Sequence, residues 1–182
     1  MAVVATLALF GLLMGYTAAT RPVGGSWKSP FSWHPFLMTI GMVSFMGIGA
    51  MTKKLGGRVN TIVHGILSWC GIACTAGGLY AIYHNKNLNG RPHMTSWHSY
   101  VGLLSAVSSV GIGLAGGIVL HPDFGMANKN ATIRLAHKVG ARLTLALAWM
   151  AAFSGLYNMS PDTMTLILYG FPLVACVPFA LM

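Results

Sequence analysis

The run Phe31-Ser32-Trp33-His34-Pro35-Phe36-Leu37-Met38 and the run Met94-Thr95-Ser96-Trp97-His98-Ser99-Tyr100-Val101 share the tripeptide Ser-Trp-His. In both, the tripeptide stands at the start of an apolar stretch long enough to cross a bilayer. His64 and His137 stand near the starts of two further apolar stretches. An ionisable side chain inside a membrane span is costly and marks function by default. Four histidines at matched depths therefore outline a site.

Composition sets the class around them. The chain has 182 residues, 55% of them hydrophobic and only 7% charged, which excludes an ordinary soluble domain and predicts an integral membrane protein. At roughly 20 residues per crossing, six spans are expected, near 2–20, 34–52, 60–82, 97–120, 133–157 and 163–181. Polar or helix-breaking segments bound them: 21–30, 53–58, 85–92, 122–129 and 158–162. The first span lacks a basic leader, and its apolar run exceeds a secretion-signal core, so it is read as a helix. No connection is long enough to set off a second domain. The expected fold is an all-α, six-transmembrane-helix bundle forming one domain over 1–182.

The basic residues set an expected orientation. Lys53, Lys54, Arg58, Lys129, Arg134, Lys138 and Arg142 fall on one side, while Arg21, Lys28, Lys86 and Arg91 fall on the other. Because Lys and Arg are retained in the cytosol, this excess predicts that both termini are cytosolic. On that topology, the acceptor sequence at Asn158 is non-cytosolic and the one at Asn130 cytosolic. The net charge of +9 flanks the spans and forms no basic, aromatic-rich face, which argues against nucleic acid. Anionic lipid head groups and small anions are the expected partners. Cys70, Cys74 and Cys176 read as reduced, buried small residues, with a metal role for the first two the less favoured alternative.

On this topology His34 and His98 lie at one level near the non-cytosolic face, and His64 and His137 lie about one turn inside the cytosolic face. The layers should be separated by roughly 20 Å. A bare zinc or copper ion normally wants three or four ligands in one layer. Each layer here offers two imidazoles and no carboxylate. That donor set suits the two axial positions of a haem iron, whose other four ligands come from the porphyrin. Glycines at 41, 47, 49, 65, 71, 77, 78, 102, 111, 113, 116, 117 and 140 thin the bundle wall, through close helix packing or by making room for a macrocycle.

The segments Thr20-Arg21-Pro22, Phe31 through Met38, Arg91-Pro92-His93-Met94-Thr95-Ser96-Trp97-His98-Ser99-Tyr100-Val101-Gly102 and Leu135-Ala136-His137 resemble the cytochrome b561 family, in particular its short "domain-containing" branch. The resemblance covers nearly the whole chain. It implies a six-helix bundle holding two b haems between helices 2 to 5, with His34 and His98 as axial ligands of the non-cytosolic haem and His64 and His137 as those of the cytosolic haem. It implies transmembrane electron transfer from cytosolic ascorbate, through the inner and then the outer haem, to monodehydroascorbate or a ferric chelate.

On that resemblance, Lys53, Lys54, Arg58 and Arg134 are candidate contacts for the ascorbate anion, and Arg91 with His93 for the acceptor. The long basic motif that ascorbate-binding relatives carry before the helix 3 histidine is reduced here to Lys53-Lys54 and Arg58. His84 and His121 read as structural. Trp33 and Trp97 read as interfacial anchors, with packing against a porphyrin edge the alternative. A homodimer is left open. Two other functions stay open: a quinone-linked di-haem anchor, and a transporter whose histidines relay protons or metal. The transporter calls for carboxylates in the spans, yet Asp123 and Asp162 are the chain's two acids and both fall in loops.

Overall fold

The computed structural model describes residues 2–20, 26–160, 162–171 and 174–175. Among the described residues five helices are long and apolar enough to cross a bilayer: α1 (Ala2–Thr20), α2 (Pro30–Lys54), α3 (Gly57–Leu88), α4 (Trp97–Val119) and α5 (Ala131–Met159). A further helical stretch, α6, spans 163–170 and opens on the Asp162 carboxylate, which accepts the Thr165 N–H at 2.8 Å. The remainder of the sixth expected span beyond these segments, together with Arg21 and Cys176, lies outside the described residues.

Three helices, α2, α3 and α5, outrun their expected limits. α3 has 32 residues and α5 has 29, or about 48 and 43 Å at the helical rise, against a hydrocarbon core of about 30 Å. Asn85, Lys86 and Asn87, expected in a connection, are helical, as are Lys53 and Lys54 in the last turn of α2. Polar side chains end the apolar span without ending the helix, because helix ends standing in water lose nothing by being polar. His64 and His137 accordingly lie about two turns inside their helices rather than one.

What ends α2 is backbone geometry. Gly56 and Gly57 have φ of 72° and 80°, a left-handed conformation that other residues adopt at a cost. The chain thus reverses in two residues, Leu55 and Gly56, and α3 runs antiparallel against α2. The helices touch backbone to backbone at Gly41 and Gly71. A Cβ on Gly41 would stand 2.7 Å from the Gly71 carbonyl oxygen, and one on Gly71 2.9 Å from that of Gly41. Small residues permit this approach, which is how membrane helices pack when burial drives nothing.

Two of these five spans carry a π-helical turn, at Ile40–Phe45 in α2 and at Ala115–Val119 in α4, and α6 carries a third at Leu166–Gly170. Each widens the helix and shifts the face presented beyond it. The first follows Pro35, which has no N–H to donate inside the helix. The core lies between these turns and the neighbouring helices: Leu7 from α1, Met42 and Val43 from α2, Ala106 from α4, and Leu145, Ala148 and Trp149 from α5. The Trp149 indole N–H donates to the Met42 carbonyl at 3.4 Å. Ser44 Oγ donates to the Leu7 carbonyl at 3.0 Å, and Tyr169 Oη donates to Thr17 Oγ1 at 2.9 Å, which ties α6 to α1.

Leu9, Leu13, Ile66, Val107, Leu143 and many other large apolar side chains face outward. Such a surface suits hydrocarbon, with the backbone polar groups satisfied inside each helix. At the end rich in Lys and Arg, the Arg58 guanidinium forks onto Asp123 at 2.7 and 2.8 Å, clasping the start of α3 to the connection between α4 and α5.

Candidate functional site

The tripeptide that recurs in sequence is built in two different ways. Ser96 is the N-cap of α4: its Oγ accepts the Ser99 N–H at 3.3 Å while Ser99 Oγ accepts the Ser96 N–H at 3.1 Å, a reciprocal capping box that fixes where His98 enters the helix. Ser32 already lies inside α2, which begins with Pro30 at its first position. Its fully buried Oγ accepts the Ser26 N–H at 3.2 Å and holds the entry loop. Both routes place the histidine in the first turns of its helix.

There His34 of α2 and His98 of α4 face each other, with ring centres 6.1 Å apart and planes at 86°. Each ring is held from behind. His34 Nδ1 donates to the Gly78 carbonyl at 2.9 Å, and His98 Nδ1 donates to the Ala151 carbonyl at 2.9 Å, with Ser154 Oγ at 3.3 Å. Because a carbonyl only accepts, Nδ1 carries the proton and the lone pair is left at Nε2. α5 comes close behind His98 because Gly155 has no side chain: a Cβ there would stand 2.9 Å from His98 Cε1.

The second pair lies toward the basic end. His64 Nδ1 donates to the Gly49 carbonyl at 2.9 Å, and the His64 carbonyl accepts from Ser68 Oγ at 2.7 Å. His137 lies against Gly116 in the π-helical turn of α4, where a Cβ would stand 2.9 Å from His137 Cε1. Its Nδ1 is buried and has no hydrogen-bond partner among the described residues. His64 and His137 lie within Coulombic reach of each other, and both within reach of Lys53.

These bonds form a reciprocal pattern. α2 carries His34 and lends the Gly49 carbonyl to His64, while α3 carries His64 and lends the Gly78 carbonyl to His34. Fifteen residues separate His34 from Gly49, and fourteen separate His64 from Gly78. At the helical rise the fourteen residues of α3 put the layers about 21 Å apart, while the fifteen of α2 include its π-helical turn. α5 repeats the arrangement, with His137 fourteen residues before Ala151. The fourth bond, from α4 to His137, is the one not made.

The basic residues divide by role. Lys53 donates to Thr61 Oγ1 at 2.6 Å and lies within Coulombic reach of Arg134, and Lys54 within reach of Arg142 and Lys138. These side chains form a cationic cluster at the His64 end. Arg58 is committed to Asp123, whose carboxyl it holds below the usual carboxylate range through that hydrogen bond and its charge. Asp162 is held down likewise by the Thr165 N–H.

At the other end, the His93 ring is docked on the last turns of α3, with Nε2 2.8 Å from Asn87 Oδ1 and its face on Tyr83 at 4.9 Å. Arg91 anchors the loop that carries His93 through its backbone N–H, which donates to the Lys86 carbonyl at 2.9 Å. His121 Nδ1 accepts the Asp123 N–H at 3.2 Å and stacks on Phe124.

Sequence reasoning missed the groups that orient the rings. The carbonyls of Gly49, Gly78 and Ala151 belong to the backbone and leave no residue signature, and Gly155 was not singled out. The recurrent offset of fourteen or fifteen residues after His34, His64 and His137 is the one signal that could have found them. Among the described residues no three of His, Cys, Asp and Glu converge on a common point. A metal held by His34 and His98 would thus take most of its coordination from some other molecule.

Comparison with known proteins bears on what that molecule is. Residues 33–160 match the model for the eukaryotic cytochrome b561 family. Transmembrane reductase CYB561D2 of Mus musculus is 26% identical over 155 residues, covering 80% of this chain and 69% of that protein. Its Homo sapiens counterpart is 24% identical over the same length. The lysosomal membrane ascorbate-dependent ferrireductase CYB561A3 of Mus musculus is 32% identical over 83 residues, covering 42% of this chain and 34% of that protein. With the family match spanning four apolar helices and all four histidines, this multi-pass membrane protein belongs to the cytochrome b561 family, a family of haem b proteins.

Proposed function

We propose that the chain carries electrons across the membrane through two b haems, one held by His34 and His98 and the other by His64 and His137. The observation that carries the reading is the His34 and His98 pair, whose rings are backed by carbonyls so that both Nε2 lone pairs are free. An iron held between the two Nε2 atoms would call for ring centres roughly 6 Å apart, from two metal–imidazole bonds of about 2 Å and about 1 Å more from each nitrogen to its ring centre. The 6.1 Å found fits that requirement. When bound, each haem supplies a one-electron ferric/ferrous couple.

The protein's own contribution is positional. Gly78, Gly49 and Ala151 fix tautomer and ring orientation in three of the four histidines. The helix rise fixes the separation of the layers, and the apolar wall keeps water away from the path. The chain acts as one unit from end to end, with a sixth span completing the bundle.

Lys53, Lys54 and Arg134 gather positive charge beside the His64 and His137 layer. That cluster suits a small anionic donor, and the name of the CYB561A3 relative, an ascorbate-dependent ferrireductase, supports ascorbate as that donor and ferric iron as the acceptor. The excess of Lys and Arg at this end supports a cytosolic orientation for it and for both termini. A histidine relay for protons or metal is the weaker reading, since the chain's two acids, Asp123 and Asp162, lie outside the five membrane helices.

The test is vectorial. Protein in sealed vesicles, with ascorbate inside and a ferric chelate or monodehydroascorbate outside, should reduce the external acceptor and show reduced b-type absorbance. A colourless preparation sinks the reading. Neutralising Lys53 and Lys54 together should slow reduction by ascorbate, while an unchanged rate moves the donor site elsewhere.

A further inference from the structure

α2 carries one residue more than its neighbours over the same crossing. From His34 to Gly49, whose carbonyl serves the other layer, the count is fifteen residues. From His64 to Gly78 on α3, and from His137 to Ala151 on α5, it is fourteen. An α-helix turns about 100° per residue, so fifteen α-helical residues would end about 100° away from the face that fourteen reach. As a plain α-helix, α2 could not present both His34 and Gly49 to α3.

The π-helical turn at Ile40–Phe45 removes the mismatch. Its bonds run from residue i+5 to residue i, as from the Met46 N–H to the Gly41 carbonyl, so each closed ring holds one residue more than an α turn. The surplus residue is taken up there, and the two ends of α2 keep the facing that the all-α segments of α3 and α5 have. Pro35 does not account for it. The N–H that Pro35 lacks belongs to the preceding turn, opposite the Phe31 carbonyl, whereas the wide turn begins only at Ile40.

Three neighbouring helices grip this turn. Gly41 meets Gly71 of α3 backbone to backbone, Ser44 Oγ donates to the Leu7 carbonyl of α1 at 3.0 Å, and the Trp149 indole N–H of α5 donates to the Met42 carbonyl at 3.4 Å. Trp149 is 4% exposed, and its ring lies on the backbone at Gly47, where a Cβ would stand 3.6 Å from Cζ2. Two residues further along α5, the Ala151 carbonyl holds His98. Trp149 therefore reaches the turn from the stretch of α5 that orients the histidine facing His34.

We propose that the π-helical turn of α2 is a one-residue insertion, and that Trp149 is the positioning residue that holds it where His34 meets Gly78 and His64 meets Gly49 at once. That these contacts serve two haems rests on the electron-transfer reading. The alignment of the helices does not.

The test reads that alignment through two disulfides, each introduced into protein carrying Cys70→Ala, Cys74→Ala and Cys176→Ala. Met38→Cys with Gly78→Cys reports the half of α2 before the turn, since a Cβ on Gly78 would stand 2.9 Å from Met38 Cγ. Gly49→Cys with Leu67→Cys reports the half after it, where the two Cβ atoms would stand 3.4 Å apart, close to the span of a disulfide. Deleting Val43 should leave both disulfides forming, because the remaining five residues of the turn then close the gap as ordinary α-helix. Deleting Ala73 from the all-α segment of α3 should abolish one of the two. Burial alone predicts the reverse, since Val43 is fully buried and Ala73 is exposed. Trp149→Phe should slow the second disulfide about two- to tenfold, the weight of one hydrogen bond, and deleting Val43 in the same chain should restore the rate.

Loss of either disulfide on deleting Val43, failure of that variant to assemble, or formation of both after deleting Ala73 overturns the insertion. An unchanged rate in Trp149→Phe, or a slowing that the deletion does not relieve, overturns the role of Trp149. The readout needs no haem, so protein that forms both disulfides yet shows no b-type absorbance fails the cytochrome reading alone.

Discussion

His34 donates its Nδ1 proton to the carbonyl of Gly78, a residue fourteen positions beyond His64 on the same helix. One helix thus orients the histidine of one layer while carrying the histidine of the other. The pairing is specific enough to predict what each substitution removes.

Replacing His34 or His98 by Ala should lower haem content by about half, leaving the b-type spectrum of the other site. Pyridine haemochrome quantitation against protein concentration checks this. His64→Ala and His137→Ala should give the complementary species, and loss of all haem from any one substitution contradicts two independent sites.

Gly155→Val puts a branched side chain where a Cβ alone would stand 2.9 Å from the His98 ring. Either the ring leaves its carbonyl or α5 moves, at a cost of about 1–3 kcal/mol. A lower melting temperature together with selective loss of the His34/His98 spectrum is expected. Gly116→Val should do the same to the His64/His137 site, and a variant with unchanged spectrum and stability contradicts the contact.

His137 is the one ring of the four whose buried Nδ1 has no partner among the described residues. Groups that hold the far nitrogen of a ligating histidine typically contribute 10–100-fold to metal affinity. Carbon monoxide added to the reduced protein should therefore displace His137 before the other three imidazoles. A CO difference spectrum that persists in His34→Ala and disappears in His137→Ala fits this, and equal occupancy of both sites does not.

The Arg58 and Asp123 pair has a defined pH sign. Arg58 holds the Asp123 carboxyl below its unfolded value of about 3.9, so its contribution is present above that value and is lost as pH falls through the folded one. Asp123→Asn should lower the melting temperature slightly near neutrality, with the difference from the parent shrinking in acid. Circular dichroism melts between neutral pH and the acid range would reveal a constant difference, which removes the ion pair as the cause.

Much of this arrangement could be read from the residues because membrane chemistry is strict. The apolar stretches located the five described spans, and of the four histidines in those helices His34 and His98 stand face to face. What stayed hidden was backbone geometry. The π-helical turns at Ile40–Phe45 and Ala115–Val119 contain ordinary apolar and small residues, and nothing in Ala-Gly-Gly-Ile-Val announces a widened turn. The ends of α3 and α5 escaped for the opposite reason, since Asn85, Lys86 and Asn87 mark the limit of hydrocarbon but not the limit of a helix.

The cross-bracing of α2 and α3 makes the pair a vernier. Sliding one helix past the other by a residue would carry His34 away from Gly78 and His64 away from Gly49 in the same stroke, so both contacts share a single register. The gap between the two layers is then set by residue count along the two helices, fifteen on α2 with its π-helical turn and fourteen on α3. In this molecule the length of the crossing is an integer.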